Sequence, residues 1–465
     1  MFRNFQRVHM VGIGGTGMSG IAEVLLTLGF TVTGSDLKAT AVTGRLEQLG
    51  AKIFFGHRAG NVEGANVVVV SSAIRPENAE VAEAHRLKIP VIPRAEMLAE
   101  LMRLKHGIAV GGAHGKTTTT SLVAAVLAEA GMDPTFVVGG RVKHASANAR
   151  VGQGPYMVVE ADESDGSLLG LSPVITVVTS IDREHLDYYG SLEAIQETFA
   201  EFVNRVPFYG VGILALDDEN VRTILPLVKR PVITYGTSPQ ADLVIEDVEL
   251  RGLGSEFHLT YRGERLGRFR LPAPPGIHNV RNAAAAVAVG LYLNVPIELI
   301  RNGLEHFQGV ARRFEVKGTP AGVTLIDDYG HHPSEVRATL DAARGCGFQR
   351  LLVCFQPHRF SRTKLLWSDF TRAFDQADRL ILLEIYPAGE PAIEGVSGRE
   401  LAAAVSAAGH RHAGFCATAM EAADALAAEA RAGDAILAIG AGSVGQLLDR
   451  VAEKLAKKDT THAHH

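Results

Sequence analysis

The chain has 465 residues, 46% of them hydrophobic and 21% charged, with a formal net charge of −5. That length exceeds what one core holds and points to about three domains. The acidic balance and scattered basic residues argue against nucleic acid, and the longest apolar stretch, residues 283–293, falls short of the ~20 residues that cross a bilayer.

The first section opens with "VHMVGIGGTGMSGIAE", a strand Val8–Ile13 that runs through a glycine loop into a helix. Gly12-Ile13-Gly14-Gly15-Thr16-Gly17 carries the Gly-x-Gly-x-x-Gly spacing of a dinucleotide site. Physically, such a loop only brings backbone N–H groups and a helix N-terminus up to a phosphate, so any nucleotide diphosphate satisfies it. Gly14, Gly15, Thr16, Gly17, Met18 and Ser19 are the candidate cradle. Further strands at Thr31–Gly34 and Val67–Ser71 end in Ser35, Asp36, Ser71 and Ser72, which face the same crevice. Asp36 reads equally as a ribose-binding carboxylate and as a helix N-cap. The section closes near Lys105, after "IPVIPRAEMLAELMRLKHG".

The second section opens with strand Ile108–Gly111 and the loop Gly111-Gly112-Ala113-His114-Gly115-Lys116-Thr117-Thr118. This is a P-loop in function: amides wrap a phosphate, Lys116 reaches the terminal phosphates, and Thr117 offers a hydroxyl to Mg²⁺. Its spacing is tighter than the common one, because Val110 stands where the first glycine would. Strand Met157–Glu160 delivers Glu160 as a magnesium carboxylate, followed by Asp162, Glu163 and Asp165. Strand Val174–Thr179 leads to Asp182, Glu184, His185 and Asp187. His185 is a second metal ligand candidate, although Mg²⁺ prefers oxygen. His278, Asn279 and Asn282 stand at the start of an Ala-rich helix, Val280–Asn294, where Asn279 also reads as an N-cap. A loop near Gly309 ends the section.

The last section alternates strand and helix again, with strands at Gly322–Ile326, Leu351–Phe355, Leu380–Glu384 and Ala435–Ile439. A second Gly-x-Gly-x-x-Gly, Gly440 to Gly445, reads as a structural strand-to-helix turn. Cys346, Cys354 and Cys416 have no metal or CxxC spacing and read as small apolar residues of a reducing compartment. With no signal-peptide pattern, a cytoplasmic monomer or homodimer without membrane insertion is expected. The fold class is α/β throughout: a Rossmann-like first domain, 1–105; a P-loop domain with a parallel-rich sheet, 106–309; and a Rossmann-like third domain, 310–465.

"GGAHGKTTTT", "EADESD", "TSIDREHLD", "GIHNVRNAAAA", "RRFE", "DDYGHHPSE" and "FQPHRFSRT" fall in the order found in the Mur ligase family, which the chain resembles along its whole length. Within that family, "HMVGIGGTGMSGIAE" and "DDYGHHP" resemble the branch that joins L-alanine to UDP-N-acetylmuramate. The resemblance implies an ATP-dependent ligase working through an acyl phosphate, with one or two Mg²⁺ ions. UDP-N-acetylmuramate would lie on the first glycine loop instead of NAD. It implies metal ligation by Thr117, Glu160 and His185, and nucleotide contacts from the P-loop, His278, Asn279, Asn282, the linker residue Arg313 and Asp328. Tyr329, His331, His358, Arg359 and Arg362 are implied at the amino-acid pocket, with His331 or His358 acting on the amine. Lys116, Glu160, His185, Arg313 and His331 form the implied catalytic set. A ligase that re-attaches recycled murein peptides to the same sugar nucleotide is the alternative. Two departures stand out: Ala113 replaces the family's threonine, and no lysine lies between Lys143 and Lys229. The second excludes the carbamylated lysine of later branches.

Overall fold

The computed structural model describes residues 6–71, 73–142 and 147–462. Two compact units emerge: Met1–Asp247 with His258–Phe269 and Arg281–Gln308, and Val248–Phe257 with Arg270–Val280 and Gly309–His465. Three sheets carry the chain, of five, ten and six strands.

The first sheet is wholly parallel, in the order Lys52–Phe55, Thr31–Asp36, Arg7–Val11, Val67–Val70 and Val91–Pro93. Its central strands are continuous apolar runs because helices cover both faces; Met10, Val11, Val68 and Val69 are fully buried. Strand order reverses beside Arg7–Val11, and the crevice outside such a reversal is where parallel sheets bind ligands. The first glycine loop leaves the sheet at that point.

The second sheet runs Glu264–Leu271, Gly254–Tyr261, Leu243–Arg251, Val232–Gly236, Val211–Ala215, Ile175–Val178, His106–Gly111, Tyr156–Glu160, Thr135–Val142 and Ala147–Arg150. His106–Gly111 pairs in parallel with both neighbours, Val110 opposite Glu160 and Gly111 opposite Val178. Three loops therefore leave the same edge side by side: the P-loop, the acidic loop after Glu160 and the loop after Val178. Helix Lys116–Glu129 follows the P-loop and is buried over most of its length. Its polar first turns fit a buried helix because Thr120 and Ser121 donate to the carbonyls of Lys116 and Thr117 one turn back.

The third sheet runs Glu315–Gly318, Thr324–Asp328, Ala435–Ile439, Leu351–Phe355, Arg379–Leu382 and Ala413–Phe415, parallel except for its first strand. Alternate residues of its central strands enter two separate cores: Leu437 and Ile439 pack with Phe355 and Phe370, while Ile436 and Ala438 pack with Cys354 and Leu426. Cys354 is thus an apolar core residue, and all three cysteines are free. Asp328 and Phe355 both lie beside Ile439 in register, so their following loops share one edge.

The predicted helix at 280–294 in fact spans Ile277–Tyr292, so Asn279 lies inside its first turn. Asn279 donates back to the Pro275 carbonyl and does not cap the helix. Among the described residues, no helix is long and apolar enough to cross a membrane.

Candidate active site

The P-loop is built on two glycines that no other residue replaces. Gly112 has φ +131, and a Cβ there would lie 2.2 Å from Thr179 Oγ1. Gly115, at φ +85, would bring a Cβ within 2.6 Å of Asn282 Oδ1. Such positive φ angles are open to glycine at no steric cost. The loop is tied to the strand-end segment beside it: Ala113 N–H donates to the Ser180 carbonyl at 2.9 Å, and His114 N–H to Ser180 Oγ at 3.0 Å. His114 Nε2 meets Asp182 Oδ2 at 3.1 Å. Lys116 Nζ folds over the loop, donating to the carbonyls of Gly112 (2.6 Å) and Ala113 (3.1 Å) and to Glu163 Oε1 (2.7 Å). Thr117 and Thr118 are buried at the start of the helix.

A group of possible metal ligands lies against this lysine. Glu163, Glu184 and His185 present one ligand atom each, all within 4.8 Å of one another. His185 Nε2 stands 3.9 Å from both carboxylates and is held there by a backbone at φ +55. Glu163 Oε2 and Glu160 Oε1 are buried with no hydrogen-bond partner among the described residues. An orphaned oxygen on Glu163, grouped with a second carboxylate and an imidazole, suits a divalent cation, so the chemistry of that donor set fits Mg²⁺. Sequence reasoning singled out Glu160 and His185; Glu163 and Glu184 join His185 only through the geometry of the two loops.

Burial raises the pKa of Glu163 to about 7, in spite of the neighbouring Lys116 ammonium. Burial also opposes the charge on Lys116, but Glu163, Glu184 and Asp162 outweigh it and hold that pKa above its ordinary value. For Glu163 the sign is that of a carboxyl raised on folding. Its contribution to stability is complete below the unfolded value of 4.5 and is lost as pH rises through about 7. The ligand-free protein is expected to lose on the order of 3 kcal/mol across that window from this group. Urea unfolding of Glu163→Gln at pH 5 and pH 8 should show a smaller pH difference than the parent. An equal difference would remove Glu163 as its source.

The first glycine loop closes on its own carboxylate. Gly12 and Ile13 donate to the Ser35 carbonyl, and Gly14 N–H donates to Asp36 Oδ2 at 2.9 Å. Asp36 caps no helix; Thr40 caps Ala41–Gln48 with a capping box. Gly15 is the N-cap of helix Thr16–Thr27, Gly17 lies in its first turn, and Ser19 is buried within it. The Met18 side chain belongs to the core. Ser71 packs beside Gly12, whereas Ser72 lies outside the described residues. The Ser35 hydroxyl is already committed, donating to Glu80 Oε2 at 2.6 Å and meeting His57 Nδ1 at 2.9 Å. Burial raises the Glu80 pKa, but His9, Ser35 and Asn61 outweigh it and bring the carboxyl down to about 2. No local pattern in the sequence marks this buried network, because its members come from separate elements and Glu80 itself reads as part of the polar face of a helix.

The third sheet gathers another set of predicted residues. The His331 ring stands edge-on to Tyr329 (5.5 Å) and to His358 (5.9 Å), and His358 stacks on Tyr386 at 5.5 Å and 8°. Arg362 NH1 approaches His358 Nδ1 at 3.3 Å. Arg359, at φ +70, faces Glu390 at 3.9 Å instead. Burial, with His331 and Arg362 nearby, lowers the His358 pKa to about 4, so its imidazole is neutral at physiological pH. Arg313 lies over the Tyr329 ring at 5.2 Å and beside Glu335 at 3.5 Å. His278 contacts Asn279 at 2.9 Å. Asp328 is spent on its own surroundings, accepting from Phe314 N–H (2.7 Å), Gly330 N–H (2.8 Å) and Thr339 Oγ1 (3.1 Å). Tyr386 is the member that sequence reasoning missed.

Family models match nearly the whole chain in three consecutive pieces. These are the Mur ligase family, catalytic domain, over residues 7–106; the Mur ligase middle domain, over 110–290; and the Mur ligase, glutamate ligase domain, over 312–442. The chain is 54% identical to the UDP-N-acetylmuramate–L-alanine ligase of Solibacter usitatus, covering 98% of this chain and 96% of that relative. The enzyme of the same name from Geotalea daltonii is 52% identical, with 98% and 99% covered. Among solved structures, the UDP-N-acetylmuramate-alanine ligase of Thermotoga maritima superposes with a TM-score of 0.83 at 28% identity, covering 97% of this chain and 99% of that one. A murein peptide ligase from Psychrobacter arcticus shares the fold, with a TM-score of 0.72 at 24% identity over 97% and 99% of the two chains.

Proposed function

The chain belongs to the Mur ligase family, and on that premise we propose that it joins L-alanine to the lactyl carboxylate of UDP-N-acetylmuramate, converting ATP to ADP and phosphate. The observation that carries this reading is the lysine of a P-loop held 2.7 Å from a buried carboxylate, with a histidine and a second carboxylate grouped around it. Relatives of that name match over nearly their full length, which favours alanine over a murein peptide as the acceptor.

In the first step a lactyl carboxylate oxygen attacks the γ-phosphorus, the bond to the β-phosphate oxygen breaks, and ADP departs. Both reactants are anions, and the transferred phosphoryl spreads charge over its oxygens. Lys116 supplies a fixed ammonium, and the loop amides from Gly111 to Thr118 supply dipoles that need no reorganisation. Thr117, Glu160 and His185, together with Glu163 and Glu184, would hold Mg²⁺, which neutralises phosphate charge when bound. Asn282 packs on Gly115 and steadies the loop. His278, Asn279, Arg313 and Asp328 complete the proposed nucleotide contacts.

In the second step the neutral amine of L-alanine attacks the acyl carbon, a proton leaves the nitrogen, and phosphate departs. Neutral His358 accepts a hydrogen bond from the amine instead of repelling a cation, and His331 stands beside it for the proton. Arg362 or Arg359 takes the α-carboxylate with a guanidinium fork. Gly14 to Ser19, with Ser35, Asp36, Ser71 and Ser72, form the proposed sugar-nucleotide crevice. A sugar-nucleotide domain at 1–105, an ATP domain at 106–309 and an amino-acid domain at 310–465 belong to the same proposal, as does a cytoplasmic location.

The test is phosphate release with Mg-ATP, omitting one substrate at a time. Release should require UDP-N-acetylmuramate and L-alanine together. Release with a murein tripeptide but not alanine would move the protein to the recycling reaction, and no release with any acceptor would end the reading.

A further inference from the structure

Arg94 is the first residue of helix Arg94–Met102, capped by Pro93. A cation there faces the positive end of its own helix, an unfavourable place. Its side chain reaches a second helix start as well: a Cβ on Gly17 would lie 2.5 Å from Arg94 NH1. Gly17 belongs to the first turn of Thr16–Thr27, which has no acidic residue and whose N-cap, Gly15, makes no side-chain bond. Two helix N-termini and a guanidinium thus converge beside the first glycine loop. One carboxylate partners the arginine: NH2 donates to Asp162 Oδ2 at 2.9 Å. The pair is part-buried, its side chains 25% and 39% exposed. Asp162 sits next to Glu163, the partner of Lys116. NH1 and Nε of Arg94 have no protein partner among the described residues.

We propose that Arg94 is a further binding residue for a phosphate group held on the Gly14–Gly17 loop, with Asp162 as its tether. The guanidinium has donors to spare on the side facing Gly17, and it carries the full charge that backbone amides lack. Asp162 fixes the side chain by one nitrogen and leaves the others for an anion. The absence of a Cβ at residue 17 is what lets the guanidinium come this close to the loop. Arg94 was not among the residues that sequence reasoning selected, because it is a single arginine in a proline-flanked helix start.

This inference rests on the sugar-nucleotide reading of the first loop, and the test separates the two. Titration calorimetry would compare UDP-N-acetylmuramate, UDP and uridine on the parent, Arg94→Ala and Arg94→Lys, with Mg-ADP binding and thermal unfolding as controls. Arg94→Ala should weaken UDP-N-acetylmuramate and UDP by about tenfold or more and leave Mg-ADP affinity unchanged. Any uridine binding should be unchanged too, since uridine carries no phosphate. Arg94→Lys should recover part of the loss. Gly17→Ala, which pushes the guanidinium aside, should reproduce it. Unchanged affinity for both diphosphates in Arg94→Ala would overturn the proposal, as would an equal loss for uridine. If the parent itself binds neither UDP compound, the sugar-nucleotide reading fails instead.

Discussion

Replacing Lys116 with methionine should reduce ADP formation by about 10²–10³-fold, while UDP-N-acetylmuramate still binds. The ammonium is the one fixed full charge on the P-loop, and removing a single preorganised donor at a transferring group typically costs 10²–10³-fold in rate. Methionine keeps the length of the stem, so the loop itself, set by Gly112 and Gly115, should persist. The substitution leaves Glu163 buried without its ion-pair partner, and one-sided loss of a buried pair destabilises by roughly 3–5 kcal/mol. Much of that is relieved here, because a carboxyl already raised to about 7 takes up a proton readily. Single-turnover ADP formation, with sugar-nucleotide titration alongside, checks both halves. Rapid ADP formation in the variant would remove Lys116 from the chemistry, and loss of sugar-nucleotide binding would show that the two sites are not separate.

The second large effect concerns the amino acid. Arg362→Ala should raise the KM for L-alanine by roughly 10²-fold or more, with a much smaller change for Arg359→Ala. A hydrogen-bonded charge pair loses about 2–5 kcal/mol when one partner is truncated. The two arginines are not equivalent. Arg359 already faces the Glu390 carboxylate, whereas Arg362 points at His358, within the Tyr329, His331 and Tyr386 group. Sequence could not rank them, because both sit in one short helical turn with identical chemistry. Initial rates at saturating ATP and sugar nucleotide, across alanine concentrations, decide the order; a larger loss from Arg359→Ala would reverse the assignment.

What was legible in the sequence follows from how parallel sheets are built. A strand buried on both faces leaves an unbroken apolar run, and so Leu351–Phe355 and Ala435–Ile439 were placed to the residue. Strands of the Leu243–Leu271 region were missed because they alternate: in Leu243–Arg251 only the first and third residues, Leu243 and Ile245, are buried. That pattern is weak over a short stretch and easily read as loop. Glycine loops were legible because positive φ angles demand glycine. Partnerships between loops were not. Glu163 was one acid among the three of "DESD" until the register of Tyr156–Glu160 against His106–Gly111 set it beside Lys116. Ser35 illustrates the converse: it was selected as a strand-end hydroxyl, yet Glu80, from a helix about forty-five residues on, already holds it.

The lysine clamped between Glu163 and two loop carbonyls has a consequence for how a triphosphate arrives. The Lys116 ammonium is not a naked cation awaiting an anion; the Glu163 carboxylate already pairs with it as an internal surrogate. Nucleotide entry is therefore an exchange of one acid for another, with the displaced carboxylate handed to whatever counter-charge accompanies the incoming phosphates. Free inorganic anions, which bring no such companion, gain little from that trade, and the loop is thereby guarded against them.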